Sequence, residues 1–149
     1  PEYRWFDLSV DRYLLGDPVA DDGATAINHP RGARGTPGAK IWPFKIHRAK
    51  QPYDKGNRTL IPPVTSGEGG YWKEFDWDQA LCLGAAGVGL DYSGDYGFID
   101  TEMYWPLSHM VTAADRALQC ADCHGEKGRM DWNQLGYDAD PMRSGGGAP

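Results

Sequence analysis

The sequence predicts a mainly α-helical chain with extensive irregular and extended segments, arranged around something other than an aliphatic interior. Three counts carry that expectation. Leu, Ile, Val and Phe make up only 24 of 149 residues, below the roughly one-fifth from which a chain ordinarily builds its own core. Six Trp, eight Tyr and four Phe offset the shortage, because their large flat surfaces pack well on one another or on another flat apolar object. Twenty Gly and eleven Pro keep helices few and short and commit much of the backbone to turns and extended runs. At this length one domain is expected.

Residues 1–70 read as an irregular, Pro/Gly-rich segment that wraps a partner or a cofactor-rich surface. Asp17-Pro18, Asn28-His29-Pro30, the run from Arg31 to Gly38, Gln51-Pro52, Pro62-Pro63 and the run from Ser66 to Gly70 interrupt it too often for helix. One strand-like piece stands out between Ala39 and Arg48, where Ile41, Pro43, Lys45 and His47 alternate with Trp42, Phe44 and Ile46. Residues 71–142 read as the helical part. Asp76 followed by Gln79 resembles a capping box, and Trp77, Ala80, Leu81, Gly84 and Val88 share one face, which predicts a helix over about 76–87. Gly87 and Gly89 then end it. Thr112 with Asp115, and the favourable residues from Ala113 to Leu118, predict a second helix over 112–123. Residues 143–149 carry no anchoring side chain and read as a flexible tail.

A net charge of −6 and a pI near 5.1 argue against nucleic acid, whose phosphates require a basic face. No run approaches the ~18 apolar residues of a membrane-spanning helix. The chain starts with Pro1 and shows no signal peptide, as expected of a processed product or a piece of something longer.

The chemistry sits at Cys120-Ala121-Asp122-Cys123-His124. This is C-x-x-C-H, the attachment pattern of a c-type haem. Two thiols three positions apart on a helical turn can each add to a vinyl group on one porphyrin edge, and the next residue aims an imidazole at the iron. A half zinc site would need two further Cys or His at matching spacing, and a redox C-x-x-C does not require the histidine. The fold is therefore expected to be a c-type cytochrome domain organised around one covalently bound haem. Because such haems are attached outside the cytoplasm, a periplasmic or extracellular location follows.

With His124 as proximal ligand, His29, His47 and His109 and the thioethers of Met103, Met110, Met130 and Met142 remain for the sixth position. His47 lies among aromatic and apolar residues suited to a porphyrin face. His109, eleven residues before Cys120, can fold back over the haem. His29, before a proline in a Gly-rich stretch, ranks below both. Trp42 and Trp105 are expected to shield the haem from water. Cys82, left over once two thiols are used, is expected to be a buried structural thiol. Asp138-Ala139-Asp140 reads as solvated loop, and Asp91, Asp95 and Asp100 as ordinary turns.

The stretch from Trp42 to Asp54, Phe75-Asp76-Trp77, the run from Asp91 to Phe98, Met103 to Met110, Ala117 to His124 and Met130 to Tyr137 together resemble the C-terminal portion of octahaem cytochromes of the tetrathionate reductase family. The resemblance spans about residues 40–142. It implies bis-histidine haems stacked in a chain, with a lysine-ligated haem in a C-x-x-C-K motif as the catalytic centre. That motif is absent from this sequence, which carries one haem motif. On the family pattern His47 and His109 are both distal ligands, so one of them is expected to ligate a haem carried elsewhere. The implied partners are multihaem cytochrome chains or identical subunits. The implied function is electron transfer within an extracytoplasmic multihaem assembly. The alternative is the C-terminal part or a subunit of a reductase acting on tetrathionate, nitrite or hydroxylamine, with its catalytic haem elsewhere.

Overall fold

The computed structural model describes residues 1–109 and 112–143. Strands form the frame. Among these residues run β1 (Glu2–Phe6), β2 (Val10–Arg12), β3 (Thr25–Pro30), β4 (Lys40–Asp54), β5 (Thr59–Leu60) and β6 (Tyr96–Pro106), in the sheet order β1-β4-β6-β3-β2 with β5 paired to β4. Helix is confined to α1 (Tyr71–Glu74), α2 (Trp77–Val88), α3 (Cys120–Cys123) and a 3-10 turn at Ala114–Arg116. The expected mainly α class is therefore wrong. The longest helix has 12 residues, whereas β4 has 15 and β6 has 11.

The first seventy residues, expected to be irregular, contain β1 to β5. Their Gly and Pro clusters are the connections between strands; the run from Arg31 to Gly38, for instance, links β3 to β4. Aromatic and β-branched residues between such breaks favour a pleated, half-buried surface. The strand-like alternation at 39–48 is real. Phe44 is fully buried, Trp42 and Ile46 pack beside it, and Lys45 and His47 are exposed. β1 runs antiparallel to β4, from Glu2 opposite Phe44 to Phe6 opposite Lys40. β6 is antiparallel to β4 as well, since Arg48, Lys50 and Lys55 meet Glu102, Asp100 and Asp95 in descending order.

Contacts divide the chain into two compact units, each assembled from separated stretches. The first holds Pro1–Asp11, Asn28–His47 and the chain from Tyr104 on. Its centre is aromatic: Phe44 meets Phe6 and Tyr104 edge-on, with centroids 5.4 and 6.1 Å apart. Such pairs add to the area they bury. The Asn28 side chain acts as a piece of ladder, accepting from the Tyr104 N–H at 2.6 Å and donating to its carbonyl at 3.0 Å. The Trp5 indole donates to the Leu135 carbonyl at 2.8 Å, which ties the C-terminal segment to β1.

The second unit holds Arg12–Ile27 and Arg48–Met103. Its core is Ile61, Leu81 and Ala85, with Trp77, Leu90, Tyr92 and Tyr96 against it. α2 matches the sequence expectation. Asp76 caps it by accepting from the Gln79 N–H at 3.1 Å, and Gly89 ends it in the left-handed conformation at φ 73°. Gly84 lets the helix touch the chain at Pro62, whose carbonyl oxygen would lie 1.9 Å from a Cβ there. At the end of β4 the carboxylate of the fully buried Asp54 accepts from the Asn57 N–H and side chain at 3.0 Å each, from the Ser93 N–H at 2.6 Å and from the Ser93 hydroxyl at 2.5 Å. Burial opposes its charge, but these donors prevail and hold its pKa below the ordinary carboxylate value.

The helix expected over 112–123 does not form as one piece. Ala117 and Gln119 are extended, with ψ of 148° and 166°, and separate the 3-10 turn from α3. Neither short piece buries a residue. Helix propensity alone does not hold a segment this short without a buried face. Beyond Arg143 the expected flexible tail lies outside the described residues, as does Met110.

Candidate haem site

α3 is a single turn that presents three side chains in sequence. The Asp122 carboxylate accepts from the Gln119 N–H at 2.8 Å, closing the first turn, and the His124 N–H donates to the Cys120 carbonyl at 2.8 Å, closing the last. His124 then leaves the helix in an extended conformation, φ −103° and ψ 156°. Both thiols are free; Cys120 is exposed and Cys123 half-buried. An open depression of about 260 Å³ lies against Cys120, Ala121, His124, Asp140 and Met142.

Asp140 fixes the imidazole. Its Oδ1 lies 2.6 Å from His124 Nδ1 and accepts from the Met142 N–H at 3.0 Å, while Oδ2 accepts from the Gly125 N–H at 2.7 Å. Desolvation pushes against the carboxylate charge, but His124 and the two backbone donors outweigh it and bring the pKa down to about 2. With a carboxylate acceptor at Nδ1, that nitrogen is the one committed to a hydrogen bond, and Nε2 is the nitrogen left for a metal. A carboxylate bonded to the far nitrogen of a histidine is the usual outer-shell partner of a metal ligand, setting both tautomer and ring orientation.

The other face of the ring is covered by Trp132, stacked at 4.7 Å and 20°. Tyr137 meets Trp132 edge-on at 5.6 Å, and the Arg34 guanidinium sits 4.3 Å over Tyr137. The Trp132 indole N–H is buried without a partner among the described residues. The arrangement fits a c-type haem on its proximal side: two thiols on one turn, an imidazole with one nitrogen committed and the other open, and a depression beside them.

Sequence reasoning missed Asp140 and Trp132. It placed Asp140 in solvated loop because, 16 residues after His124, no local spacing marks it. The one available signal was chemical: a histidine that ligates iron needs an acceptor for its second nitrogen.

The remaining candidates lie elsewhere. His47 is exposed on β4, its ring 6.2 Å from that of Trp105, itself 49% exposed. Trp42 is half-buried, edge-on to Phe6 at 6.3 Å, with its indole N–H unpartnered among the described residues. His109 is exposed just beyond β6. None of these four lines the depression at His124. His29 lies on β3, not in the loop expected of it. Cys82, expected to be buried, is exposed on α2, because the buried face of that helix is Ala80, Leu81, Gly84 and Ala85. Lys50 is paired with Asp100 at 2.9 Å. Among the described residues no three His, Cys, Asp or Glu side chains converge to hold a metal ion.

Residues 1–127, which include the whole C-x-x-C-H motif, match the family model for bacterial cytochrome c. The chain belongs to that family. Among solved structures this cytochrome is similar to the octaheme cytochrome c from Shewanella oneidensis, with 42% identity and a TM-score of 0.92 over 99% of the present chain and 35% of the other. It thus spans about a third of that relative's length. Among curated proteins no match was found. The octahaem resemblance read from the sequence is borne out, and family membership carries with it a covalently bound haem c and haem-based electron transfer. Among the described residues no helix is long and apolar enough to cross a membrane.

Proposed function

We propose that this cytochrome is one haem-bearing section of an extracytoplasmic multihaem assembly and relays electrons through it. Cys120 and Cys123 form the two thioethers, and His124 ligates the iron through Nε2. The haem supplies a one-electron Fe(III)/Fe(II) couple. The chain's own residues hold that couple in place: Asp140 keeps the His124 proton on Nδ1, and Trp132 keeps the ring from turning. Hydrogen bonding from His124 to a carboxylate raises the basicity of the ligating nitrogen and so favours the ferric state.

His47 and His109 are both proposed as distal ligands, one for the iron held at His124 and the other for an iron held by other polypeptide. Both are exposed, and neither has a hydrogen-bond partner among the described residues. Trp42 and Trp105 are proposed to border the haems and exclude water. The observation that carries the reading is the His124–Asp140 contact at 2.6 Å beside two free thiols.

The test is production of the holoprotein outside the cytoplasm, followed by denaturation and intact-mass measurement. The expected mass is that of the polypeptide plus one haem, with a low-spin spectrum. In His47→Ala and His109→Ala, only the variant lacking the ligand to the chain's own iron becomes high-spin. A denatured chain weighing no more than its amino acids overturns the proposal.

A further inference from the structure

Residues 131–137 form a tight loop in the first unit. Within it the Asp131 carboxylate accepts from the Gln134 N–H at 3.0 Å, and the Trp132 carbonyl accepts from the Tyr137 N–H at 2.9 Å. Leu135 is buried and its carbonyl takes the Trp5 indole N–H at 2.8 Å, while the Arg4 guanidinium donates to the Gln134 side chain. β1 thereby carries the loop. We propose that the loop is a rigid brace for the haem ligand, in which Trp132 fixes the plane of the His124 imidazole. That plane selects the porphyrin edge on which the unpaired electron of Fe(III) resides, and so the direction in which electrons pass. The inference rests on the electron-transfer reading above.

Three observations carry it. Trp132 lies nearly parallel to His124, at 4.7 Å and 20°, so a turn of the imidazole about its Cβ–Cγ bond would drive it into the indole. Trp132 is itself backed. Tyr137 meets it edge-on at 5.6 Å and 88°, and Arg34, 4.3 Å over Tyr137, also donates to the Gly136 carbonyl at 3.3 Å. The Trp132 indole N–H is buried with no partner among the described residues, which costs free energy. The ring is therefore placed for its flat face and not for a hydrogen bond. Neither Trp132 nor Tyr137 lines the depression at His124, so Trp132 is a positioning residue that acts through the imidazole.

A ligating imidazole donates π density into the iron d orbital normal to its ring plane, which makes that orbital the half-filled one in low-spin Fe(III). Turning the ring moves the unpaired electron onto different pyrroles. Electronic coupling to a redox partner is greatest through the edge where that density lies. Asp140 and Trp132 thus divide the work at His124: the carboxylate acts on the strength of the ligating nitrogen, and the indole acts on direction.

The test is proton NMR of the ferric holoprotein, first shown by mass to hold its haem. The order and spread of the haem methyl resonances report the azimuth of the axial imidazole, and the sixth ligand is common to all variants compared. Trp132→Leu is expected to change the methyl order. Trp132→Phe keeps a ring against His124 and removes the unpaired N–H, so the wild-type order is expected to return. Asp140→Asn, which retains an oxygen acceptor for Nδ1, is expected to keep the wild-type order while the potential moves. A wild-type order in Trp132→Leu overturns the proposal, and so does an order changed as much by Trp132→Phe as by Trp132→Leu. Should Trp132→Leu not fold, Trp5→Phe releases the loop from β1 by deleting the bond to Leu135, and an unchanged methyl spread there overturns the proposal. Absence of haem at the mass measurement instead defeats the electron-transfer reading and the orbital step that rests on it. The brace is then read in the apoprotein, where Trp132→Leu should abolish the upfield ring-current shift of the His124 ring protons.

Discussion

α2 and α3 are both helices with an aspartate bonded at the N-terminal turn, yet they are held by opposite means. α2 has 12 residues, a cap at each end, and Ala80, Leu81, Gly84 and Ala85 buried against Ile61 and its neighbours. α3 has four residues and buries none of them; polar contacts from Asp122 and Asp140 hold the turn and the histidine after it. Packing suffices for the first. The second is a preorganised but weakly supported edge, of the kind that a covalent cofactor completes. The difference teaches where stability and function reside in this chain: substitutions at α2 should move folding and leave the haem alone, and substitutions around α3 should do the reverse.

The largest expected break of that contrast is Cys120→Ser with Cys123→Ser. Covalent haem should be lost entirely, as haem staining of the denatured band would record. Amide exchange should rise across residues 112–143 and stay unchanged over α2. Protection lost equally in α2 would mean that the haem supports the whole molecule. On the α2 side, Gly84→Ala places a methyl group 1.9 Å from the Pro62 carbonyl oxygen, and Leu81→Ala empties a site with no solvent exposure. Each should cost about 2–5 kcal/mol in denaturant unfolding, with the resident haem spectrum unaltered.

The two elements were unequally legible in the sequence for the same reason. Everything that makes α2 is local: Asp76, Gln79, the spacing of Trp77, Ala80, Leu81 and Gly84, and a terminating glycine. The attachment motif is local too. What completes the candidate site is not: Asp140 and Trp132 reach His124 through a loop whose course no periodicity reveals. The sheet was hidden by composition. A core of Phe6, Phe44 and Tyr104 stands in for the missing aliphatics, so a chain that looked unable to form an interior forms one from rings. Propensity misled at 112–123, where good helix formers find no surface to bury against and the backbone straightens at Ala117.

Two acidic residues sharpen the comparison at intermediate size. Asp140→Asn should leave the haem covalently attached but raise its midpoint potential, since the His124 proton loses an anionic acceptor and the ligating nitrogen becomes a weaker donor to Fe(III). Redox titration followed at the α-band checks this; an unchanged potential would mean that Asp140 only shapes the loop. Asp54, in the unit that contains α2, should act on stability instead. Its pKa is lowered on folding, so its contribution is fully present above the unfolded value near 3.8 and is lost as pH falls below it towards the folded value. Asp54→Asn should cost about 2–3 kcal/mol at neutral pH and flatten the acid limb of the stability profile, with no shift in potential.

The smallest effect comes from removing the same chemical group from each helix. In α2 the Asp76 carboxylate supplies one capping bond of 3.1 Å to a helix that folding must nucleate without help, so Asp76→Ala should lower stability by about 1 kcal/mol. In α3 the Asp122 carboxylate makes a shorter bond, 2.8 Å to the Gln119 N–H, and on bond length alone its loss should cost as much or more. The expected order is nonetheless reversed. If, as proposed, two thioether bonds and an iron–histidine bond hold the turn of α3 in the holoprotein, Asp122→Ala should change thermal stability by less than about 0.5 kcal/mol. Equal losses in the two variants would show that α3 depends on its own hydrogen bonds even with haem attached, and that the contrast between a packed helix and a cofactor-completed one does not hold.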